Sequence, residues 1–360
     1  MPARASDPPT LLRLAIPHLF GRSSRWSVGI EEELFVLDAE TFEPRPVPAP
    51  LLDGARLKAE LFAAVVELNT PICRDVGEAA EALAGLRREA AARAREAGLV
   101  LAAAGTWPTA VSEEQAITPE EGYRRFVEYA GVSAHRQYCS GLHVHIGVAS
   151  PDECLERLEA VLPWLPVLLA VSANSPYAAG AETGLASTRA ELLALLPRSG
   201  APPVFASYAD WEHFAERLVA LGLADEITRI WWDIRPHPRY GTLEVRMPDQ
   251  PTRLAVTVAF AELVRALVAG ASTRSPADRG LYEQNRWAAL RFGPAAGLVH
   301  PDGEELAPAR LLLAELGAEL DVDVRELEAL DQADEQLDVG RRDGLRALEE
   351  RIVALTYDGL

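Results

Sequence analysis

The chain has 360 residues, 49% of them hydrophobic and 25% charged, a balance that supports a sizeable core in one large domain or two closely packed ones. Its formal net charge of -19 argues against nucleic-acid binding and against an anionic membrane surface; an anionic substrate would need local arginines or metal ions to reverse the field. Lys58 is the only lysine, so there is no G-x-x-x-x-G-K-[ST] phosphate loop, and a Schiff base would have to use that one residue.

Residues 1–24 are a polar, proline-containing lead-in, and 25–360 read as a single domain because no repeat or low-complexity linker divides them. "SVGIEEELFVLD" at 27–38 holds the first strand, 27–37, a buried run interrupted by three glutamates, and unpaired carboxylates are costly to bury. "ETFEPRPVPAP" at 40–50 is a proline-rich loop. Residues 60–70 fit helix or strand, with Val65, Val66 and the Thr70–Pro71 end favouring a strand in the second half. Alanine-rich 76–98 is a helix closed by Gly98, and 99–107 is the next strand. "HRQYCSGLHVHIGV" at 135–148 ends in a strand, and 150–174 is helical with Ser150 as N-cap and Pro151 at the first position. Residues 178–210 are loop-rich, and "DWEHFAERLVALG" is a helix. "RIWWDIRP" and "GTLEVRM" are strands joined by "HPRYG", and the final third is helical and acidic.

Apolar 161–171 is short and carries two prolines, and 255–270 contains Glu262 and Arg265, so both read as core helices rather than membrane spans. Cys73, Cys139 and Cys154 show no C-x-x-C spacing, and the absence of a signal peptide fits a reducing cytoplasm. Cys139 reads as a buried inert thiol. Strands and helices do not alternate regularly, which favours an α+β fold with an antiparallel sheet.

Alternate strand residues share a face. Glu31 and Glu33 therefore point one way, and Glu32 points with Val28, Ile30, Leu34 and Val36. Like charges on one face repel unless a cation lies between them, although a solvated edge also tolerates them. Glu60 and Glu67 precede and accompany "ELNTP", and each taken alone fits a surface carboxylate. His143 and His145 share a face of a glycine-flanked strand, an arrangement suited to metal or phosphate and also to two hydrogen-bonded structural histidines. Asp233/Arg235 and Glu244/Arg246 repeat the same-face pattern, each readable as a plain ion pair. If the four strands line one sheet face, that face is a cavity with oxygen ligands and fixed arginines. It would suit Mg²⁺ or Mn²⁺ more than structural zinc, and phosphoryl transfer.

In order along the chain, "GIEEE", "ELFAAVVELNTPIC", "CSGLHVHIGV", "SANSPY", "TGLASTRAELLALLPRSGAPP", "WWDIRP", "LEVRMPD" and "NRWAALRFG" resemble the type 2 glutamate–cysteine ligase family of carboxylate–amine ligases, from about Val28 to about Gly293. The resemblance implies a glutamine-synthetase-like fold, a curved antiparallel sheet forming a funnel with helices on its outer face. It implies that ATP phosphorylates the glutamate side-chain carboxylate and that the amine of cysteine displaces phosphate. By the same resemblance Glu31, Glu33, Glu60, Glu67, His145 and Glu244 bind two or more metal ions. His143, His145 and Arg246 meet the nucleotide phosphates, and Arg246, Arg235 and Arg189 serve the substrate carboxylate or transferring phosphoryl group. Partners are small molecules, namely glutamate and cysteine or another amine, and a homodimer is compatible with the sequence. Trp107, Leu185 and Thr188 depart from the family pattern (G-T-H-P and T-G-Y-A-S-Y-R) and are expected to border the substrate pocket, which opens the identity of the acceptor. A metal-dependent amidohydrolase is the alternative; it would need zinc and a parallel barrel.

Overall fold

The computed structural model describes residues 16–224, 226–272 and 275–360, so most of the expected lead-in, residues 1–15, lies outside the described residues. The principal sheet has seven strands: β1 (Val28–Asp38), β2 (Leu57–Ala59), β3 (Val65–Asn69), β4 (Leu99–Ala102), β5 (Leu142–Gly147), β6 (Ile234–His237) and β7 (Thr242–Val245). Their order is β2-β3-β1-β5-β7-β6, with β4 also pairing β1, and every pairing is antiparallel. The sheet is open, which removes the parallel barrel that an amidohydrolase reading requires.

β1 is long enough to serve three partners. Glu31–Phe35 pairs β3 on one side; Val28–Glu32 pairs β5 and Phe35–Asp38 pairs β4 on the other. Period-two alternation then gives the sheet two chemistries. Val28, Ile30, Leu34, Val66, Leu68, Leu142, Val144, Ile146, Leu243 and Val245 are all buried in one core cluster. Helix Val76–Glu96 packs on β1 and β3, helix Leu254–Gly270 on β1 and β5, and helix Pro151–Val161 on β6 and β7. Each fully buried aliphatic side chain on this layer contributes about 1.5–3 kcal/mol.

The helices begin where their caps dictate. Asp75 Oδ1 accepts from the Glu78 N–H at 2.9 Å, and Ser150 Oγ from the Glu153 N–H at 3.1 Å with Pro151 in the first turn. The expected single helix over 150–174 is divided by a 3-10 turn, Leu162–Trp164, at Pro163. The strand expected over 99–107 ends at Ala102, because the Ala103 N–H turns to Thr356 Oγ1 at 2.9 Å and the Gly105 N–H to the Asn174 carbonyl at 3.0 Å. The strand expected from Arg229 starts only at Ile234: Trp231 packs on Phe126 and Trp232 on Phe214, drawing that segment to different neighbours. Among the described residues no helix is long and apolar enough to cross a membrane.

Glu32 belongs to the helix-facing layer and is fully buried. Arg87, on helix Val76–Glu96, grips it with two bonds of 2.7 Å, and Gln250 Nε2 (2.9 Å) and Thr257 Oγ1 (2.7 Å) also donate to it. The middle glutamate of the triplet is thus a structural anion tying sheet to helix.

Candidate active site

The opposite sheet face carries the polar rows. Lys58, Glu67 and Glu33 stand in register across β2, β3 and β1; Asn69, Glu31 and His143 do so across β3, β1 and β5; His145, Glu244 and Arg235 do so across β5, β7 and β6. All of these except Asn69 and His145 line a cavity of about 400 Å³, whose wall also includes Glu60, Tyr123, Arg229, His237, Tyr240 and Arg246, while Asn69 and His145 line an adjoining compartment. Two compartments adjoin it. One of about 310 Å³ shares Glu31, Lys58 and Tyr240 with it; the other, of about 130 Å³, shares Glu33, Glu60, Tyr123, His143, Arg229 and Arg246.

Two carboxylate-rich clusters emerge within the cavity. Glu31, His143 and Glu244 offer ligand atoms within 4.8 Å of one another, and Glu33, Glu60 and Glu67 do the same. His143, rather than the expected His145, joins the first cluster. Glu60 lies just after β2 rather than on a strand, where its Oε2 accepts from the Leu61 N–H at 3.1 Å.

His143 Nδ1 lies 3.2 Å from Glu31 Oε2. Burial and Arg246 push this imidazole down to about 4, so it is neutral; facing a carboxylate it donates from Nδ1 and keeps the Nε2 lone pair for a cation or another donor. His145 behaves oppositely: burial would lower it, but Glu31 and Glu244 raise it. Its Nδ1 pairs with Thr242 Oγ1 at 3.0 Å, and its buried Nε2 makes no hydrogen bond although Glu31 Oε1 is 3.4 Å away. Burial works against the charged Glu31, but His145 and then His143 outweigh it and hold the carboxyl well below the usual range.

Glu244 is also held low: burial is outweighed by Arg235 and Arg246. Arg235 grips it at 2.6 and 3.3 Å and donates to the Ile230 carbonyl at 2.7 Å, while Arg246 pairs with the same carboxylate. The second cluster lacks such compensation. Burial, with Glu67 adding to it against Arg189, pushes Glu33 up to about 7. Burial together with neighbouring carboxylates raises Glu60 and Glu67 as well. Glu33 Oε2 accepts from the Gly141 N–H at 2.6 Å, Asn69 donates to Glu67 at 2.6 Å, and Lys58 Nζ is 3.5 Å from Glu67. Three close carboxylates kept from ionising together, with the neutral His143 imidazole and the Glu31 and Glu244 carboxylates beside them, form a donor set that suits a hard divalent cation.

Arg189 is buried, and its guanidinium donates to the Met247 (2.9 Å) and Arg246 (3.0 Å) carbonyls. It occupies the space beside Gly141, where a Cβ would lie 2.0 Å from its Nη2, so the glycine before β5 is required. The expected Asp233/Arg235 pair does not form. Asp233 accepts from the Tyr282 hydroxyl (2.6 Å) and Arg286 Nε (2.8 Å), which draws it to helix Arg279–Phe292. Trp107, Leu185 and Thr188 are absent from the cavity wall, contrary to expectation. Trp107 is buried against Phe35 and Phe42 with its Nε1–H on the Phe42 carbonyl, and Thr188 shares a hydrogen bond with Thr183. Cys139 lines the smaller compartment, its thiol pushed up to about 12 by burial, while Cys73 and Cys154 are buried elsewhere in the core.

Sequence reasoning missed His237 and Tyr240, which stack 4.3 Å apart, each with an edge-on contact to His145. They flank the "PR" of the "HPRYG" turn, and only the β6–β7 pairing shows that this turn overhangs the cavity. Lys58 was visible as the sole lysine; its register with Glu67 was not.

The sequence model of a family described as glutamate-cysteine ligase family 2 matches residues 27–353. The chain is 38% identical over 329 residues to "Putative glutamate--cysteine ligase 2-3" of Rubrobacter xylanophilus, covering 89% of this chain and 91% of that one. It is 38% identical over 307 residues to "Putative glutamate--cysteine ligase 2" of Sorangium cellulosum, covering 81% and 82%. Among solved structures it is similar in fold to a glutamate–cysteine ligase of Francisella tularensis in complex with AMP, with TM-score 0.67 at 14% identity over 93% of this chain and 90% of that one. A bifunctional glutathione synthetase of Pasteurella multocida matches with TM-score 0.62 at 15% identity, over 93% of this chain and 50% of the other.

Proposed function

The chain belongs to glutamate–cysteine ligase family 2, and from that premise we propose that it is an ATP-dependent ligase joining the side-chain carboxylate of glutamate to the amine of cysteine or another primary amine. The observation that carries the reading is the single sheet face that gathers Glu31, His143, Glu244 and Glu33, Glu60, Glu67 into two clusters, with Arg246 in the same wall. In the proposed reaction a carboxylate oxygen of glutamate attacks the terminal phosphorus of ATP and ADP leaves. The amine nitrogen then attacks the acyl carbon of γ-glutamyl phosphate, phosphate is expelled, and the nitrogen loses a proton.

Two or more Mg²⁺ or Mn²⁺ ions, when bound, would shield the phosphate oxygens from the attacking carboxylate. Glu31, His143 and Glu244 would hold one ion, and Glu33, Glu60 and Glu67 another. His145, raised by Glu31 and Glu244, in turn favours the ionised form of Glu31, and Arg235, bonded to Glu244 and a carbonyl, positions that carboxylate. Arg246 is placed to meet charge developing on the transferring group. Arg189 spends two of its five N–H donors on carbonyls and has others for a substrate carboxylate. Anchoring both reactants on one rigid face supplies the proximity that such a transfer needs.

The test is ADP release with Mg²⁺, glutamate and a panel of amines. Amine-dependent release is expected, and Glu33→Gln should abolish it while the melting transition is kept. A folded wild-type protein that releases no ADP in response to any amine refutes the reading.

A further inference from the structure

Two residues lining the compartment of about 130 Å³ carry a buried polar atom without a partner among the described residues, the donor Arg229 Nε and the acceptor Gln137 Oε1. Gln137 is 7% exposed and lies in its wall. The amide nitrogen donates to the Ser133 carbonyl at 2.9 Å and to the Leu192 carbonyl at 2.8 Å. Both amide protons are therefore assigned, and flipping the amide would set its oxygen against two carbonyl oxygens. That fixes Oε1, which is buried and has no hydrogen-bond partner among the described residues. An orphaned buried acceptor is destabilising unless a donor arrives from outside the fold.

Among the reacting groups that the ligase reading brings together, the phosphates and the activated carboxylate offer no proton to this oxygen; the attacking amine does. The same compartment holds Arg189 for a carboxylate, and Glu33 and His143 in the wall shared with the two ligand clusters. An α-amino acid bracketed by Gln137 and Arg189 would thus have its nitrogen beside the carboxylate to be activated. The remaining wall mixes Leu61, Phe62 and Leu193 with Glu60, Arg229 and Arg246, so it does not by itself select the charge of the substituent.

We propose that Gln137 Oε1 accepts a hydrogen bond from the nitrogen of the acceptor amine and positions it for attack. The proposal deepens the ligase reading and rests on it. The experiment is steady-state ADP release by the full chain with Mg²⁺, ATP and glutamate, using cysteine and 2-aminobutyrate as acceptors, in wild type and Gln137→Met. A roughly tenfold rise in amine KM is expected, the size of one lost hydrogen bond, with the KM values of ATP and glutamate unchanged. Inhibition by 3-mercaptopropionate, which keeps the thiol and carboxylate and lacks the amine, should be unaltered in the variant. A collapsed compartment would weaken that inhibitor as much as cysteine, and that result overturns the proposal. So does an unchanged amine KM, as when water alone satisfies Oε1, or a rise in glutamate KM instead, which would place the glutamate α-ammonium there. A wild type inert with every amine refutes the ligase reading itself, an outcome distinct from any produced by the variant.

Discussion

Replacing Arg87 by methionine removes four hydrogen bonds from a site with no access to water: two to Glu32 and one each to the Thr252 and Thr356 carbonyls. Glu32 then keeps only Gln250 and Thr257 as donors and remains a buried carboxylate without a cation. Breaking a buried pair from one side costs about 3–5 kcal/mol, chiefly the stranded charge. For a chain of this size that is roughly a 4–7 °C fall in melting temperature. Glu32→Gln alone should cost less, because an amide still accepts from Gln250 and Thr257, and the double variant should cost clearly less than the sum of the singles. Urea unfolding gives the stabilities, and the initial rate per folded molecule gives the catalytic effect. That rate should be unchanged in all three variants, because Glu32 faces the helices and not the cavity. A cost under about 1 kcal/mol for Arg87→Met, or loss of turnover in a fully stable Glu32→Gln, would refute the division of the three glutamates into one structural and two ligand residues.

The cavity carboxyls also set a pH dependence. Glu33 is raised from 4.5 to about 7, and Glu60 and Glu67 shift the same way, so the folded state binds protons that the unfolded state has released and stability falls as pH rises through that range. His143 and His237, pushed down to about 4 and about 3, act in the opposite sense below 6.5, so above it the dependence is set by the raised groups, these carboxyls and His145. With divalent cations chelated, wild type should lose melting temperature from pH 6.5 to about 8, and Glu33→Gln should lose less; parallel curves would refute the assignment. Trp107→His restores the residue of the family pattern inside an aromatic core, so it should cost about 2–4 kcal/mol and leave the amine KM alone. A changed KM at full stability would return Trp107 to the substrate pocket.

What the sequence made legible is what depends on strand period alone. Glu31 and Glu33 against Glu32, and His143 with His145, follow from alternation, and the register merely joined them. Asp233 shows the limit: its position relative to Arg235 is right for a shared face, yet Tyr282 and Arg286, about fifty residues away in sequence, take its carboxylate. Trp107 shows another, since a tryptophan in a motif segment is equally at home in a wall or a core, and only Phe35 and Phe42 decide. Lys58, His237 and Tyr240 carry no local signal because their place is set by strand order. Arg87 as the partner of Glu32 required knowing which helix covers β1.

The net charge of -19 bears on how so acidic a protein would admit the nucleotide that the proposed ligase reaction requires. The cavity wall does not solve it with side chains: seven carboxylates face one lysine and three arginines, leaving it acidic by three formal charges. One unshielded like-charge contact at 4 Å opposes binding by about 4 kcal/mol at an effective dielectric of 20, close to a thousandfold in affinity. The two ligand clusters lie within this wall, and two divalent ions would add four positive charges and reverse its sign. Nucleotide binding is therefore expected to depend on the cation at equilibrium and before any chemistry. Calorimetric titration with ADP should show binding in Mg²⁺ that is lost in EDTA, and a much weaker Mg²⁺-dependent signal in Glu31→Gln. Equal ADP affinity with and without the cation would mean that the arginines alone turn the field, and the carboxylate clusters would then need another explanation.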